Sequence, residues 1–465
     1  MTSGAASAAH SRADDAAAQE VARRAAAAQH AGGTPGAVPR LAVMMFLQYA
    51  VWGAWLPLAA RYMTATVGEG GLGFSVAQMS MLIGLAGSVG AVSAPFIAGQ
   101  FADRYFPAQK FLAALLLLGG ALKWITASQT GYDAWLWLSI AYGVLYMPTL
   151  ALSNSVAFAH VADRTRDFPK VRVWGSIGWI AASWVFPMIW LQTALHATWM
   201  PPFLDGAERP DATAHLADAL RFSGMLSFAY AAYCLTLPDT PPKRDGVQSL
   251  AFARAFGLLR RPSFALLLLA GLLVSMIHQI YFMQAGPYLV HLGLRDSDVG
   301  PAMTVGQFSE IAAIGVLGWL LAKTSFRVVL AIGALSYVLR YLVWSQVQLP
   351  VPVLVGSLAL HGVGYACFFA ASYIYVDRLA PPDIRHSAQT VFGIIMLGGG
   401  PVLGGVLSGK LAQTFTGADG KLDYGPMWLS LAAFAAVAFL IVVATFRDET
   451  READGATAAA KGTLA

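Results

Sequence analysis

The chain has 465 residues, of which 57% are hydrophobic and only 12% are charged. Soluble globular proteins carry about 25% charged residues, so this composition excludes a soluble protein and indicates a helical membrane protein. The formal net charge of +5 is no sign of nucleic-acid binding, because the basic residues cluster in loops between apolar segments.

Residues 1–38 form a polar, alanine-rich segment that we predict to be a disordered cytoplasmic tail. It lacks the apolar stretch of a cleaved signal peptide. Twelve apolar stretches of about 18–25 residues follow, and each is long enough to cross a bilayer. The predicted spans are 41–63, 76–99, 109–127, 133–157, 170–192, 219–237, 264–291, 299–322, 327–346, 351–376, 386–411 and 425–446.

The spans divide into two halves. We predict an N-terminal six-helix bundle at 39–237, a cytoplasmic linker at 238–263, a C-terminal six-helix bundle at 264–446 and a second cytoplasmic tail at 447–465. The linker is expected to contain a surface helix at 249–261, and the loop at 193–218 is expected to form an irregular cap. Twelve spans in two pseudo-repeated halves indicate the major facilitator fold, with a substrate site near the midplane.

Lys and Arg residues predict the orientation in the membrane. Most of them lie in the two tails and in the loops that follow even-numbered spans. Cytoplasmic loops carry such an excess, so both termini are expected in the cytoplasm of a multi-pass inner-membrane protein.

A short charged motif follows the second span, where Gly99 is succeeded by Asp103 and Arg104. Asp103 either caps a helix end or pairs with Arg104 in solvent, or the two form a charge latch that holds the halves closed on the cytoplasmic side. The spacing of the motif favours the latch.

The most informative polar groups lie inside the membrane. Gln307 and Glu310 are one helical turn apart in the middle of the eighth span, where a carboxylate costs roughly 2.5–3.5 kcal/mol to insert. Arg172, Ser176 and Trp179 in the fifth span share one helix face at i, i+4 and i+7. The alternative is that Arg172 snorkels to the lipid headgroups and Trp179 only packs.

Further polar groups occur in the seventh and tenth spans, namely Gln279 and the pair His361 and Tyr365. Single residues of these types often make helix–helix hydrogen bonds. Polar groups on three helices of the same half, however, indicate a lined cavity. Aromatic plates, amides and a carboxylate suit a neutral, planar, hydroxylated solute, and a sugar would also fit.

Six motifs together resemble the nucleoside:proton symporters of the major facilitator superfamily. They are FLQYAVWGAW at 46–55, YMPTL at 146–150, DFPKVRVWGSIG at 167–178, QFSE at 307–310, IRHSAQ at 384–389 and GGVLSGK at 404–410. The resemblance covers about 41–446. It implies a nucleoside site at Arg172, Ser176, Trp179, Gln279, Gln307, Glu310 and Tyr365.

The chain departs from that family at three positions. The family has Tyr where this chain has His361, Asn where it has Phe282, and often an Asp where it has Ala366. His361 belongs to the predicted substrate site as one of the polar groups in the spans of the second half. Since a histidine titrates near neutral pH, His361 and Glu310 are the predicted proton-coupling residues.

The sequence therefore predicts a secondary active transporter that imports nucleosides by proton symport and alternating access. The close alternative is a symporter or facilitator for a sugar or another neutral solute. A membrane receptor would need a signalling domain, and a multidrug exporter a more apolar cavity. We expect no enzymatic activity, cofactor, metal site or nucleic-acid partner, and we expect a monomer in the lipid bilayer.

Overall fold

The computed structural model of the protein describes residues 34, 36–102, 105–163, 166–242, 256–381 and 384–449. Over these residues the fold is helical, and β-structure is limited to isolated bridges. The helices of the first half are α1 (Ala37–Thr64), α2 (Val76–Ala98), α3 (Ala108–Thr126), α4 (Tyr132–His160), α5 (Phe168–Leu191) and α6 (Asp218–Cys234). Those of the second half are α7 (Pro262–His291), α8 (Asp296–Lys323), α9 (Phe326–Ser345), α10 (Val351–Leu379), α11 (Ser387–Phe415) and α12 (Tyr424–Thr445).

Each of the twelve predicted spans corresponds to one of these helices. In the described part of the chain, 11 of them are long and apolar enough to cross a membrane. The exception is α6, which has 17 residues. It ends before the predicted limit because Leu235–Leu237 turn back onto the preceding carbonyls, as in the hydrogen bond from the Leu235 amide to the Ala232 carbonyl. Of the predicted linker helix, residues 249–255 lie outside the described ranges, and Gly257–Arg260 form a single 3₁₀ turn.

The two halves repeat the same packing pattern. In the first half α1 packs on α5, α2 on α4 and α3 on α6, and the corresponding pairs in the second half are α7 with α11, α8 with α10 and α9 with α12. The halves meet along α2 and α11, α1 and α7, and α5 and α8. This is the arrangement expected for a major facilitator protein.

Small residues bring the halves together along α2 and α11. A Cβ added at Gly84 would lie 2.6 Å from the Pro401 carbonyl oxygen, and one at Gly405 would lie 2.6 Å from the Ser80 carbonyl oxygen. The Ser80 and Ser408 hydroxyls hydrogen-bond across the same interface at 2.8 Å. Close backbone approach of this kind replaces the hydrophobic effect as the source of helix association in lipid.

Several of the helices that form the bundle are irregular. Helix α1 breaks at Trp55, whose backbone has φ −124° and ψ −32°, and the following Pro57 lacks an N–H for the helix ladder. Tyr365–Ala370 in α10 and Ile394–Gly399 in α11 form π-helical turns. Such turns are frequent at functional sites because they re-aim side chains.

The loop at 193–218 closes one face of the bundle, which we call the cap face. It is held by the isolated bridges Gln192–Glu208 and Ala197–Leu204, and its short helix Ala212–His215 packs on α8. There Asp296 accepts hydrogen bonds from Arg61 Nε at 2.8 Å and Thr213 Oγ1 at 2.5 Å, and Asp298 accepts one from the Leu204 amide at 3.1 Å. Since Arg61 belongs to α1 and Asp296 to α8, the pair joins the two halves at the cap face.

Candidate functional site

A cavity of about 250 Å³ lies between the two halves. All eight residues predicted for the substrate site line it: Arg172, Ser176, Trp179, Gln279, Gln307, Glu310, His361 and Tyr365. Three of them come from α5 in the first half, and five come from α7, α8 and α10 in the second. The structure therefore brings the eight predicted substrate-site residues together at the interface between the two halves. Alternating access would open and close this interface.

The first half supplies an aromatic wall. The Trp179 ring lies 5.8 Å from Trp52 and 6.2 Å from Phe282 of the second half, both edge to face. Trp52 in turn contacts Tyr146 at 5.9 Å, and Tyr146 stacks on Tyr142 at 5.3 Å. Aromatic contacts at these spacings fix the plane of each ring. The cavity thus has preformed flat surfaces for a planar solute.

Several polar atoms of the cavity lining are buried without a hydrogen-bond partner in the described structure. Besides the Trp55 indole nitrogen and the Tyr142 hydroxyl, they include the Trp179 indole nitrogen, a donor, and the Gln307 side-chain oxygen, an acceptor. Buried polar groups are nearly always paired, and a native exception calls for an explanation. A bound solute with an acceptor and a donor would supply both partners.

Glu310 is buried, with 8% of its surface exposed, and lines the cavity. Arg172 is near enough to attract the Glu310 carboxylate electrostatically, although the two form no direct ion pair among the described contacts. The Arg172 guanidinium lies 4.3 Å over the Tyr49 ring. Arg172 is therefore held inside the cavity by a cation–π contact and does not snorkel to the membrane surface.

His361 belongs to a cluster of histidines and tyrosines behind the cavity. Its ring stacks on His278 of α7 with centroids 5.0 Å apart and planes at 18°. Its Nδ1 lies 2.6 Å from Nη1 of Arg340, a fully buried residue of α9. His278 lines the cavity as well, and its Nδ1 hydrogen-bonds to the Tyr337 hydroxyl at 2.8 Å.

Sequence reasoning missed two buried cations, Lys123 and Arg340. Lys123 of α3 lines the cavity with 4% of its surface exposed, and its Nζ lies 3.0 Å from the Trp55 ring centroid and 4.0 Å from that of Tyr142. Its ammonium has no ion pair or hydrogen bond with another described residue. A charge inside a span is by default a functional candidate, so the position of Lys123 within its span was the available signal.

Gln48 is not among the residues that line the cavity, and its amide donates to Thr149 Oγ1 at 2.8 Å, which ties α1 to α4. The predicted latch residues Asp103 and Arg104 lie outside the residues that the structure describes.

Residues 36–451 match the family model described as "Nucleoside H+ symporter". The putative nucleoside transporter YegT of Escherichia coli K12 is 31% identical over 431 residues, which cover 91% of this chain and 96% of that protein. Nucleoside permease NupG of the same organism is 27% identical, over 88% of this chain and 95% of that one. A crystal structure of a NupG variant superposes with a TM-score of 0.76 at 25% identity, covering 89% of this chain and all of that one.

These matches confirm the resemblance, the all-α major facilitator fold and the prediction of a proton-coupled nucleoside transporter over the sugar alternative. They also confirm a multi-pass membrane transporter and not an enzyme. The chain belongs to the nucleoside H+ symporter family.

Proposed function

We propose that the central cavity is the site at which this protein binds nucleosides and carries them into the cell together with protons. The observation that supports this most is the convergence of Trp179, Gln307 and Glu310 on one enclosed space between the halves. An indole, an amide and a carboxylate match, respectively, the flat face of a base, its hydrogen-bonding edge and the hydroxyls of a ribose.

The base lies against Trp179 of α5 and is met from the other half by Tyr365 of α10. Both side chains line the cavity from opposite halves. Base–aromatic stacking is worth roughly 1–3 kcal/mol for each ring in nucleic-acid binders. Arg172, Ser176 and Gln279 complete the polar contacts of the solute.

Glu310 carries the coupled proton. It is the acidic member of the described cavity lining, and burial disfavours its charged form while Arg172 favours it. A solute that binds between them changes this balance, and by linkage protonation then changes the affinity for the solute by the same factor. One carboxylate can therefore couple two ligands.

We further propose that both termini face the cytoplasm, so that the cap face is outside. The basic residues of the even-numbered loops support this orientation. We also propose that the protein acts as a monomer, since the cavity lies between the two halves of one chain.

Uptake of labelled uridine and adenosine into proteoliposomes, with and without an inward proton gradient, tests the proposal. Glu310→Gln removes the ionisable group and keeps the shape, so we expect it to abolish gradient-driven accumulation but to retain exchange of nucleoside across the membrane. Asp133→Asn is the matched control, because Asp133 is an exposed carboxylate at the start of α4. Undiminished nucleoside accumulation by Glu310→Gln would contradict the role of Glu310 in proton coupling. Wild-type uptake that is the same with and without the proton gradient would contradict symport.

A further inference from the structure

Arg340 is a buried cation with neutral partners. It is 0% exposed in the C-terminal half of α9 and donates to His361 Nδ1 at 2.6 Å and to the Tyr341 hydroxyl at 2.7 Å. Its guanidinium lies 4.4 Å from the Tyr281 ring centroid and 4.6 Å from that of Tyr341. Among the described residues it has no ion pair with a carboxylate.

The bond between Arg340 and His361 has only one possible direction. A guanidinium has five N–H donors and no acceptor, and it keeps its proton in proteins. His361 Nδ1 must therefore accept, which requires that it carry no proton. The neutral imidazole then holds its single proton on Nε2.

A second proton on His361 would place two cationic groups 2.6 Å apart at their nitrogens, so the ring cannot become an imidazolium while this bond persists. The ring cannot easily turn away either. It is held between His278, at 5.0 Å, and Tyr281, at 4.6 Å, and a Cβ added at Gly306 would lie 3.1 Å from its Cδ2 atom.

The other titratable groups around His361 do not offer it a compensating negative charge. They are His278 and Tyr281 on α7, Tyr337 on α9, Tyr365 on α10 itself, and Glu310 on α8, whose carboxylate is attracted to Arg172 from the other half. The Nε2 atom has no hydrogen bond to any residue that the structure describes, and the His361 side chain lines the cavity.

We propose that Arg340 is a positioning residue that fixes His361 as a neutral Nε2–H donor toward the transported nucleoside. His361 then serves recognition and takes no part in carrying the proton, which falls to Glu310 alone. The group it recognises is a hydrogen-bond acceptor of the solute, such as a ribose oxygen or a base carbonyl. This inference rests on the proposed function, since it assigns a partner to His361 within the nucleoside site.

Two substitutions of His361 separate its two nitrogens. Glutamine places an amide N–H near the position of Nε2, whereas asparagine places its amide near that of Nδ1 and leaves the cavity without a donor. We expect His361→Gln to keep the KM for uridine within a few-fold and to keep the pH profile of uptake. We expect His361→Asn to raise the KM by about threefold to tenfold, the effect of losing one hydrogen bond, with little change in kcat. A pH profile that flattens or shifts in His361→Gln would overturn the proposal.

Removing Arg340 tests the positioning role directly. Arg340→Met frees Nδ1, so we expect uptake to acquire an additional ionisation between about pH 5 and pH 8. Arg340→Lys keeps a donor and is expected to preserve the wild-type profile. If both variants titrate as the wild type does, Arg340 does not control His361.

The wild-type protein supplies a test that does not depend on the folding of the Arg340 variants. Nitrogen-15 NMR of histidine-labelled protein in lipid nanodiscs, with the His361 signals identified by their loss in His361→Gln, reports the tautomer. We expect the neutral Nε2–H form throughout the range of about pH 5 to pH 8. An Nδ1–H or cationic ring would overturn the inference, whereas the expected tautomer without any nucleoside uptake would contradict the proposed function only.

Discussion

The ion pair between Arg61 and Asp296 gives a quantitative prediction about the closed cap face. Arg61 belongs to α1 and Asp296 to the first turn of α8, their side chains are 13% and 6% exposed, and the Nε–Oδ1 distance is 2.8 Å. Thr213 of the cap donates to the second carboxylate oxygen of Asp296 at 2.5 Å. The carboxylate therefore joins both halves and the cap at one point.

Asp296→Asn removes the charge and leaves the shape. A hydrogen bond to a charged group contributes about 1.5–3 kcal/mol. If the pair exists only while the cap face is closed, its loss shifts the equilibrium toward the state open at that face by roughly 10-fold to 150-fold. We expect a correspondingly faster reaction of a cavity thiol with a reagent applied outside.

Gly87→Cys provides the reporter. Gly87 lines the cavity, and a Cβ there meets nothing within 4 Å. The native cysteines, Cys234 and Cys367, are both buried and should react slowly. The assay is the labelling rate of the cysteine variant in intact cells by a membrane-impermeant maleimide, with and without Asp296→Asn.

A second ion pair is the matched control. Lys170 and Asp167 also lie 2.8 Å apart but belong to one helix end within one half. Asp167→Asn should leave the labelling rate unchanged, because exposed pairs contribute little and this one does not cross between the halves. Equal labelling rates for Asp296→Asn and its parent would refute the view that this pair holds the cap face closed.

Trp179→Ala should weaken nucleoside binding about tenfold or more by calorimetry, and Trp179→Phe should weaken it less, because a smaller ring retains part of the stacking; equal affinities would rule stacking out. Lys123→Met keeps the side-chain length but loses the charge over Trp55, so we expect uridine uptake to fall through a changed KM, and an unchanged KM would mean that Lys123 only packs. Gly362→Ala should abolish transport, because its Cβ would lie 2.1 Å from the Glu310 amide nitrogen and force α8 and α10 apart, whereas Gly356→Ala, which meets nothing within 4 Å, should transport normally.

The sequence predicted the helices and the cavity lining for a physical reason. Apolar length defines a span, and the period of a helix shows which residues share a face, so Arg172, Ser176 and Trp179 could be placed on one stripe without coordinates. Gln307 and Glu310 were visible because polar groups inside a membrane are costly.

Contacts between side chains of different helices could not be predicted from the periodicity of one helix. The pairing of Arg340 with His361 depends on how α9 faces α10, which no periodicity within either helix defines. Without that contact, the prediction that His361 carries protons depended on the behaviour of a free histidine, which titrates near neutral pH. The cation–π site of Lys123 likewise requires α3 to lie beside the break of α1 at Trp55.

Two unpaired atoms of the cavity also suggest a way to identify the substrate. They are the indole nitrogen of Trp179 and the amide oxygen of Gln307. A hydrogen bond contributes about 0.5–1.5 kcal/mol, so a nucleoside that pairs with both atoms gains stabilisation from each. Any ligand that binds only the folded protein raises its melting temperature with concentration. Thermal denaturation of the detergent-solubilised protein against a panel of nucleosides would therefore rank them by how well they satisfy these two atoms, before any transport is measured.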